Sequence, residues 1–123
     1  MSPIKISESE WQVMCIVWEK GPVSTSEVVE ALHHQKGWHS RTIRTLIDRL
    51  VKKKALKTRS DGKPNLYEPL ITMEAAVRQE SRSFLERVFG GKPVPLLLHL
   101  VEESNLTKKD IRKLKELLSE KER

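Results

Sequence analysis

Apolar residues recur along this chain at intervals of three and four positions, the spacing of helices that bury one face. A capping box, in which serine precedes glutamate by three positions, marks two helix starts, Ser7 with Glu10 and Ser24 with Glu27. Glycines mark several of the helix ends. Helices are therefore predicted over about residues 7–20, 25–35, 41–54, 73–89 and 96–102, and in a last segment that begins after Thr107.

The pattern changes after the third predicted helix, which Ser40 is expected to cap. Residues 55–59 and 66–70 are typical of two short strands, and the glycine-containing stretch 60–65 between them is typical of a turn. Three helices followed by a β-hairpin describe a winged helix-turn-helix. The predicted fold class is thus mainly α with a small β-hairpin wing, and the first domain covers residues 1–70.

The remaining residues, 71–123, are predicted to form a C-terminal helical dimerisation domain. Residues 92–95, which include two prolines, are expected to be a stiff connector between its helices. Three helices with apolar stripes over only about 50 residues make a poor core by themselves, so we expect this domain to fold against a second copy of the chain in a homodimer. The residues expected at the dimer interface are Val77, Phe84, Leu85, Val88, Leu97, Leu100, Leu114 and Leu117.

With 123 residues, 37% hydrophobic and 33% charged, the chain has the composition of a small, charge-rich globular protein. Its longest apolar runs, 13–18 and 94–98, fall far short of the roughly 20 residues that cross a bilayer. The N-terminal residues lack the basic and apolar pattern of a secretory signal, and the one cysteine, Cys15, cannot form an internal disulfide. We therefore expect a cytoplasmic protein.

Positive charge is concentrated in one segment of the chain. The formal net charge is +6, from 23 basic and 17 acidic residues. Residues 36–63 hold ten basic side chains against Asp48 and Asp61, a net of +8, so the rest of the chain carries −2. That imbalance predicts a polyanionic partner, and a solvated, lysine-rich helix face is the alternative interpretation.

The third predicted helix carries the pattern expected of a DNA-reading element. Its apolar stripe leaves arginines and threonines on the opposite face, where Asp48 is the one acidic residue. A helix fits the major groove of double-stranded DNA, where arginine donates two hydrogen bonds to guanine and a threonine methyl packs on thymine. Ser40 and the first helical turn can hold a phosphate, lysines flank the backbone, and the wing adds further cations. The predicted DNA contacts are Ser40, Arg41, Thr42, Arg44, Thr45, Arg49, Lys52, Lys53, Arg59 and Lys63.

Other kinds of chemistry find little support in the sequence. His33, His34 and His39 lie close together, but adjacent helical positions point apart, and no thiolate or carboxylate completes a metal site. Paired carboxylates, a nucleophile constellation and a phosphate-binding glycine loop are all missing, so we expect no enzyme, no cofactor and no small-molecule substrate. A winged-helix module that docks its basic face on an acidic protein is the alternative to a DNA-binding protein.

Three stretches of the chain carry more specific patterns. They are Ile6–Met14 with Trp18, Thr42–Leu50, and Phe84-Leu85 with Phe89–Gly91. Together they resemble the BlaI/MecI penicillinase-repressor family over nearly the whole chain. The resemblance implies a homodimeric repressor that binds a palindromic operator, often with TACA/TGTA-like half-sites, of β-lactam-resistance genes encoding a β-lactamase or a penicillin-binding protein. Repression of unrelated genes under a different inducing signal is the alternative.

The resemblance also implies how repression ends. In that family a membrane-bound sensor protease signals, and the repressor is cut in a short apolar helix of the dimerisation region. The matching bond here joins His99 and Leu100, where the family's well-known members carry Asn-Phe. The alternative is that these two residues serve only as the core of the dimer helix.

Overall fold

The computed structural model describes residues 4–59 and 65–123 of the chain. The chain divides into two compact units, Met1–Gln79 and Glu80–Arg123. Its elements, in chain order, are α1 Glu8–Lys20, β1 Val23–Ser24, α2 Thr25–Lys36, α3 Ser40–Lys52, β2 Leu56–Arg59, β3 Leu66–Pro69, α4 Met73–Phe89, α5 Pro93–Glu103 and α6 Lys108–Glu122.

The first two helices begin where the sequence places capping residues. Ser7 Oγ accepts a hydrogen bond from the Glu10 N–H, and the Glu10 carboxylate accepts one from the Ser7 N–H at 2.8 Å. Ser24 and Glu27 form the same reciprocal pair at the start of α2. Each box satisfies backbone donors that no helical carbonyl can reach. Both predicted helix starts are confirmed.

The helices α1, α2 and α3 pack around one apolar core, to which each contributes the residues of one face. The buried aliphatic side chains of the three helices are Val13, Met14, Ile16, Val17, Val28, Leu32, Ile43, Leu46, Ile47 and Leu50. Burial of one such large side chain stabilises the fold by about 1.5–3 kcal/mol. The rotation of α3 about its axis is therefore fixed, since turning it would expose several of them.

The first unit also contains a three-stranded antiparallel sheet in the order β1-β3-β2. Strands β2 and β3 form the predicted hairpin, with Leu56 opposite Pro69. Strand β1 pairs with the other side of β3, where Val23 lies opposite Tyr67. The predicted winged helix, mainly α with a small wing, is confirmed. The predicted hairpin turn includes residues 60–64, which lie outside the described residues.

Two predicted features of the helices are wrong. Helix α3 begins at Ser40 itself and is capped by the preceding residue, because His39 has extended backbone and its Nδ1 accepts the Arg41 N–H at 3.1 Å. The predicted connector over residues 92–95 is mostly helical, because α5 begins at Pro93. Proline at the first helical position lacks only an N–H that would have no helical partner, and its fixed φ suits a helix.

A residue in the left-handed conformation ends α3 and turns the chain into β2. Lys54 has a φ of 66°, and the N–H groups of Lys54 and Ala55 donate to the carbonyls of Val51 at 3.0 Å and Leu50 at 2.9 Å. This is the Schellman arrangement, which glycine usually completes because it has no Cβ. The helix consequently ends at Lys52, two residues before its predicted end.

The second unit consists of the C-terminal part of α4 together with α5 and α6. Thr107 and Asp110 form a capping box that begins α6. Neither α5 nor α6 contains a buried residue. The large apolar side chains exposed in the second unit are Phe84, Val88, Val94, Leu97, Leu98, Leu100, Val101, Ile111, Leu114, Leu117 and Leu118. Within the described residues, no helix is both long and apolar enough to span a membrane.

Replacement of Lys54 by glycine is expected to stabilise the first unit. Glycine adopts a positive φ without the steric cost of a Cβ, so Lys54→Gly should raise the free energy of unfolding by about 0.5–1 kcal/mol. Urea unfolding followed by far-UV circular dichroism measures this change. Lys52→Gly is the matched control, because Lys52 lies in right-handed helix and its replacement should lower stability. Destabilisation of similar size by both substitutions would contradict the left-handed end of α3.

Candidate nucleic-acid interface

One side of α3 is buried and the opposite side is exposed. Ile43 and Ile47 lie in the core with 0% and 1% of their surface exposed. The exposed side chains opposite them, here named the reading face, are Arg41, Thr42, Arg44, Thr45, Asp48 and Arg49. The structure thus brings five of the predicted DNA contacts together on one side of one helix.

The arginines of the reading face keep their hydrogen-bond donors open. The guanidinium groups of Arg41, Arg44 and Arg49 form no ion pair or hydrogen bond with any residue in the described ranges 4–59 and 65–123. A guanidinium presents five N–H donors in a planar fork. Each of these arginines is therefore available for a bidentate contact with a phosphate or with the edge of a guanine.

The side chain of Thr45 is held in one orientation. Its hydroxyl donates to the carbonyl of Arg41, one helical turn earlier, at 3.0 Å. Because the hydroxyl proton is committed to the backbone, the side chain offers its partner a methyl group and an acceptor oxygen. Such a surface suits the methyl group of thymine better than the acceptor edge of guanine.

Histidines hold the segment that leads into α3. His39 Nδ1 caps the helix, and His33 Nδ1 lies 3.2 Å from the carbonyl oxygen of Trp38, so that nitrogen carries a proton. Trp38 packs partly buried against the core. Ser40 is half-exposed as the first residue of α3. It is not the cap, so its predicted phosphate contact stays a prediction.

A shallow cleft of about 180 Å³ adjoins the reading face. Arg44 and Asp48 line it together with Thr25 of α2 and Tyr67 of β3, and Thr25 Oγ1 lies 3.4 Å from Tyr67 Oη. Two hydroxyl groups thus lie beside an open guanidinium. Sequence reasoning missed them because 42 positions separate Thr25 from Tyr67, and only the pairing of β1 with β3 brings them together.

Lys53, at the C-terminal end of α3, contacts two acceptors of the protein. Its Nζ lies 2.5 Å from Glu10 Oε1 and 2.8 Å from the carbonyl oxygen of Lys5. Burial by itself would raise the pKa of Glu10, but hydrogen bonds from Lys53 and Ser7 outweigh burial and hold that pKa below its ordinary value of 4.5. The Glu10 carboxylate is therefore charged at neutral pH, and the ion pair is formed.

The other predicted phosphate contacts differ in their surroundings. Lys52 is exposed and forms no ion pair with a described residue. On the wing, Arg59 Nη1 lies 3.1 Å from Glu68 Oε1, and Lys57 Nζ lies 3.7 Å from Glu68 Oε2. Lys57 and Arg59 of β2 thus both lie near the Glu68 carboxylate of β3. Lys63 lies outside the described residues.

Cys15 on α1 does not add a reactive group to this surface. It is half-buried, and burial, together with the nearby Glu19 carboxylate, raises the pKa of its thiol. A protonated thiol is a poor nucleophile and a poor metal ligand. In the part of the chain that the structure describes, no three His, Cys, Asp or Glu residues group in a way that could hold a metal ion.

A winged helix that exposes arginines and threonines opposite a buried stripe defines a class of protein, the winged-helix transcription regulators. The family model of the penicillinase repressor matches residues 6–120. The chain belongs to the penicillinase repressor family, which confirms the resemblance seen in its sequence.

Individual relatives share most of this chain's length. The methicillin resistance regulatory protein MecI of Staphylococcus aureus strain N315 is 35% identical over 117 residues, which cover 95% of this chain and 95% of MecI. The penicillinase repressor of Bacillus licheniformis is 32% identical over 116 residues, which cover 94% of this chain and 91% of that repressor. These relatives are named as a regulatory protein and a repressor, not as enzymes.

A solved structure of the family aligns with the first part of the chain. It is the solution structure of monomeric Bacillus licheniformis BlaI in complex with the blaP half-operator, with a TM-score of 0.55 and 34% identity. The alignment covers 61% of this chain and 93% of the BlaI chain.

Proposed function

We propose that this chain is a cytoplasmic transcriptional repressor that binds double-stranded operator DNA through the reading face and the wing. The two-sided structure of α3 carries the proposal, because one side is fixed in the core while the other presents open arginine donors and a threonine methyl. The names of the relatives support β-lactam-resistance genes, encoding a β-lactamase or a penicillin-binding protein, as the repressed target.

In the proposed complex, α3 lies in the major groove with its N-terminal half against the base edges. Arg41, Thr42, Arg44 and Thr45 read bases, and Arg49 lies one turn further along the same exposed side. The phosphate contacts lie around this helix and are Ser40, Lys52, Arg59 and Lys63. Lys53 was predicted as another phosphate contact, and its ion pair with Glu10 leads us to a different role below.

Simultaneous replacement of Arg44 and Thr45 by alanine should strongly reduce sequence preference and leave the fold intact. Both side chains are exposed, and each lost base contact removes about 1–3 kcal/mol of discrimination, so the loss of two contacts should lower the preference at least about thirtyfold. Titration of a palindromic TACA/TGTA duplex and of a shuffled duplex measures the preference.

The matched control is Glu30→Ala with Gln35→Ala, which truncates two exposed side chains of α2 and should leave the preference unchanged. If the Arg44/Thr45 variant discriminates between the two duplexes as well as the wild-type chain, the reading face does not determine sequence preference, and the proposal is contradicted. A wild-type chain with equal affinity for the two duplexes would instead indicate a winged helix that docks on an acidic protein.

We also propose that two copies of the chain pair through the second domain, with residues 1–70 binding DNA and residues 71–123 forming the dimer. The second unit contains no buried large apolar side chain among the described residues, although eleven such side chains are exposed there. A folded unit of this kind requires a partner surface. The proposed interface residues are Val77, Phe84, Leu85, Val88, Leu97, Leu100, Leu114 and Leu117, of which Leu85 is half-buried and the others are exposed.

Pairing of two copies explains how two weak half-site contacts give a high overall affinity for the operator. Once one copy is bound, the second half-site contact is intramolecular and gains affinity through effective concentration. Any event that separates the two copies therefore releases the DNA. We propose that a membrane-bound sensor protease causes this event by cleavage between His99 and Leu100.

The backbone at this bond sets a condition on cleavage. His99 and Leu100 are exposed within α5, and the Leu100 carbonyl accepts a hydrogen bond from the Ser104 N–H at 3.0 Å. A protease needs extended backbone, so α5 must open before the cut. Because no residue of α5 is buried within the chain, local opening breaks few intramolecular contacts.

Sedimentation velocity tests both the proposed dimer and its loss on cleavage. At a concentration on the order of tens of micromolar the full chain should sediment as a dimer, and Leu114→Glu with Leu117→Glu should give a monomer because the charges would be buried in an apolar interface. Lys108→Glu with Lys109→Glu, at the polar start of α6, should remain dimeric.

Incubation with the cognate sensor protease tests the cleavage. It should yield two fragments, one that ends at His99 and one that begins at Leu100, and the dimer should be lost. A monomeric wild-type chain would overturn the dimer, and an uncut chain would overturn the cleavage.

A further inference from the structure

Lys53 has the charge of a phosphate contact, but its ammonium group is already engaged by the protein. Nζ lies 2.5 Å from the Glu10 carboxylate and 2.8 Å from the Lys5 carbonyl oxygen, and 37% of the side chain is exposed. Contact with a phosphate would require the ammonium to leave these acceptors or to share its protons with a third one. Lys52, the preceding residue, forms no ion pair with any described residue.

The burial of Glu10 opposes the departure of Lys53. Glu10 is 1% exposed, and its Oε2 has no hydrogen-bond partner in the described part of the chain. Lys53 is the one cation within ion-pair distance of this carboxylate among the described residues. A buried carboxylate without its cation is strongly destabilising, so the pair is held together by the high cost of separating it.

Because Lys53 lies between α3 and the wing, its ion pair connects the junction of these two elements to α1. Lys53 is the C-cap of α3, and Lys54 after it turns the chain into β2 of the wing. One ammonium group thus connects three segments: the backbone at Lys5, the first turn of α1 through Glu10, and the junction between α3 and the wing. This junction determines how the reading face and Arg59 of the wing lie relative to each other.

We propose that Lys53 is a positioning residue, which fixes the junction of α3 and the wing against α1, and that it is not one of the cations that neutralise DNA phosphates. The proposal rests on the proposed DNA-binding function and assigns roles within it. A phosphate contact contributes equally to all sequences. A positioning residue matters for the specific complex, in which α3 and the wing must fit their grooves at the same time.

The two roles predict different salt dependences. The test variant is Glu10→Gln with Lys53→Met, because glutamine preserves the capping box, methionine preserves the apolar stem, and no buried charge is left unpaired. Lys52→Met is the matched control, since it removes one neighbouring charge that has no partner among the described residues. Affinities for a palindromic TACA/TGTA duplex and for a shuffled duplex are measured over a series of salt concentrations.

We expect Lys52→Met to reduce the slope of log K against log salt on both duplexes, by about 0.9 for each subunit bound. The Glu10/Lys53 variant should keep the wild-type slope on the shuffled duplex and lose about tenfold of its preference for the palindrome. Lys53→Arg, which keeps the charge beside Glu10, should retain most of the preference.

Two results for the Glu10/Lys53 variant would overturn the proposal. One is a slope of log K against log salt on the shuffled duplex that is reduced as much as in Lys52→Met. The other is an undiminished preference for the palindromic duplex. A wild-type chain without any preference would overturn the proposed function as well, so the two failures are distinguishable.

Stability gives a second test that needs no DNA. Lys53→Met should unfold at a lower urea concentration than Lys52→Met, because it leaves the Glu10 carboxylate without its cation. The added Glu10→Gln should recover part of the lost stability. Equal stability of the two single variants would likewise overturn the role of Lys53.

Discussion

The burial of one side of α3 is the constraint on which the rest of this structure depends. Ile43, Ile47 and Leu50 are at most 1% exposed, and they lie against α1 and α2 in the centre of the first unit. Because successive helical residues are rotated by about 100°, fixing this side also fixes the direction of every other side chain on the helix. The arginines and threonines therefore face outward as a consequence of packing, whatever they bind.

The two ends of α3 are held by different interactions. At the N-terminal end the imidazole of His39 accepts the Arg41 amide. At the C-terminal end Lys54 reverses the chain and Lys53 binds the buried Glu10. An ion pair to a buried carboxylate contributes little net stability when desolvation is counted, and its best-attested effect is to select one arrangement over others. In this molecule the selected arrangement is the position of a reading helix relative to its wing.

Local patterns were sufficient to predict most of the elements, while interactions between distant residues were not visible in the sequence. The capping box at Ser7 and the stripe of α3 depend on residues a few positions apart, and both were predicted. The cap of α3 was placed one residue late, because serine is the stronger intrinsic cap and the extended backbone of His39 is not encoded in any short motif. The contact between Lys53 and Glu10 spans 43 positions and requires the packing of α1 against α3. Basic composition alone therefore assigned Lys53 to the DNA.

The central claim, that the reading face of α3 enters the major groove, is tested most directly by the reactivity of guanine N7 in bound DNA. Guanine N7 lies in the major groove and is methylated by dimethyl sulfate, whereas adenine N3 lies in the minor groove. When the wild-type chain is bound to a palindromic duplex, guanine N7 should be protected in both half-sites, in two patches about 10 base pairs apart or a multiple of that distance. Guanine N7 atoms that react as fast as in free DNA while the chain is bound would contradict the account.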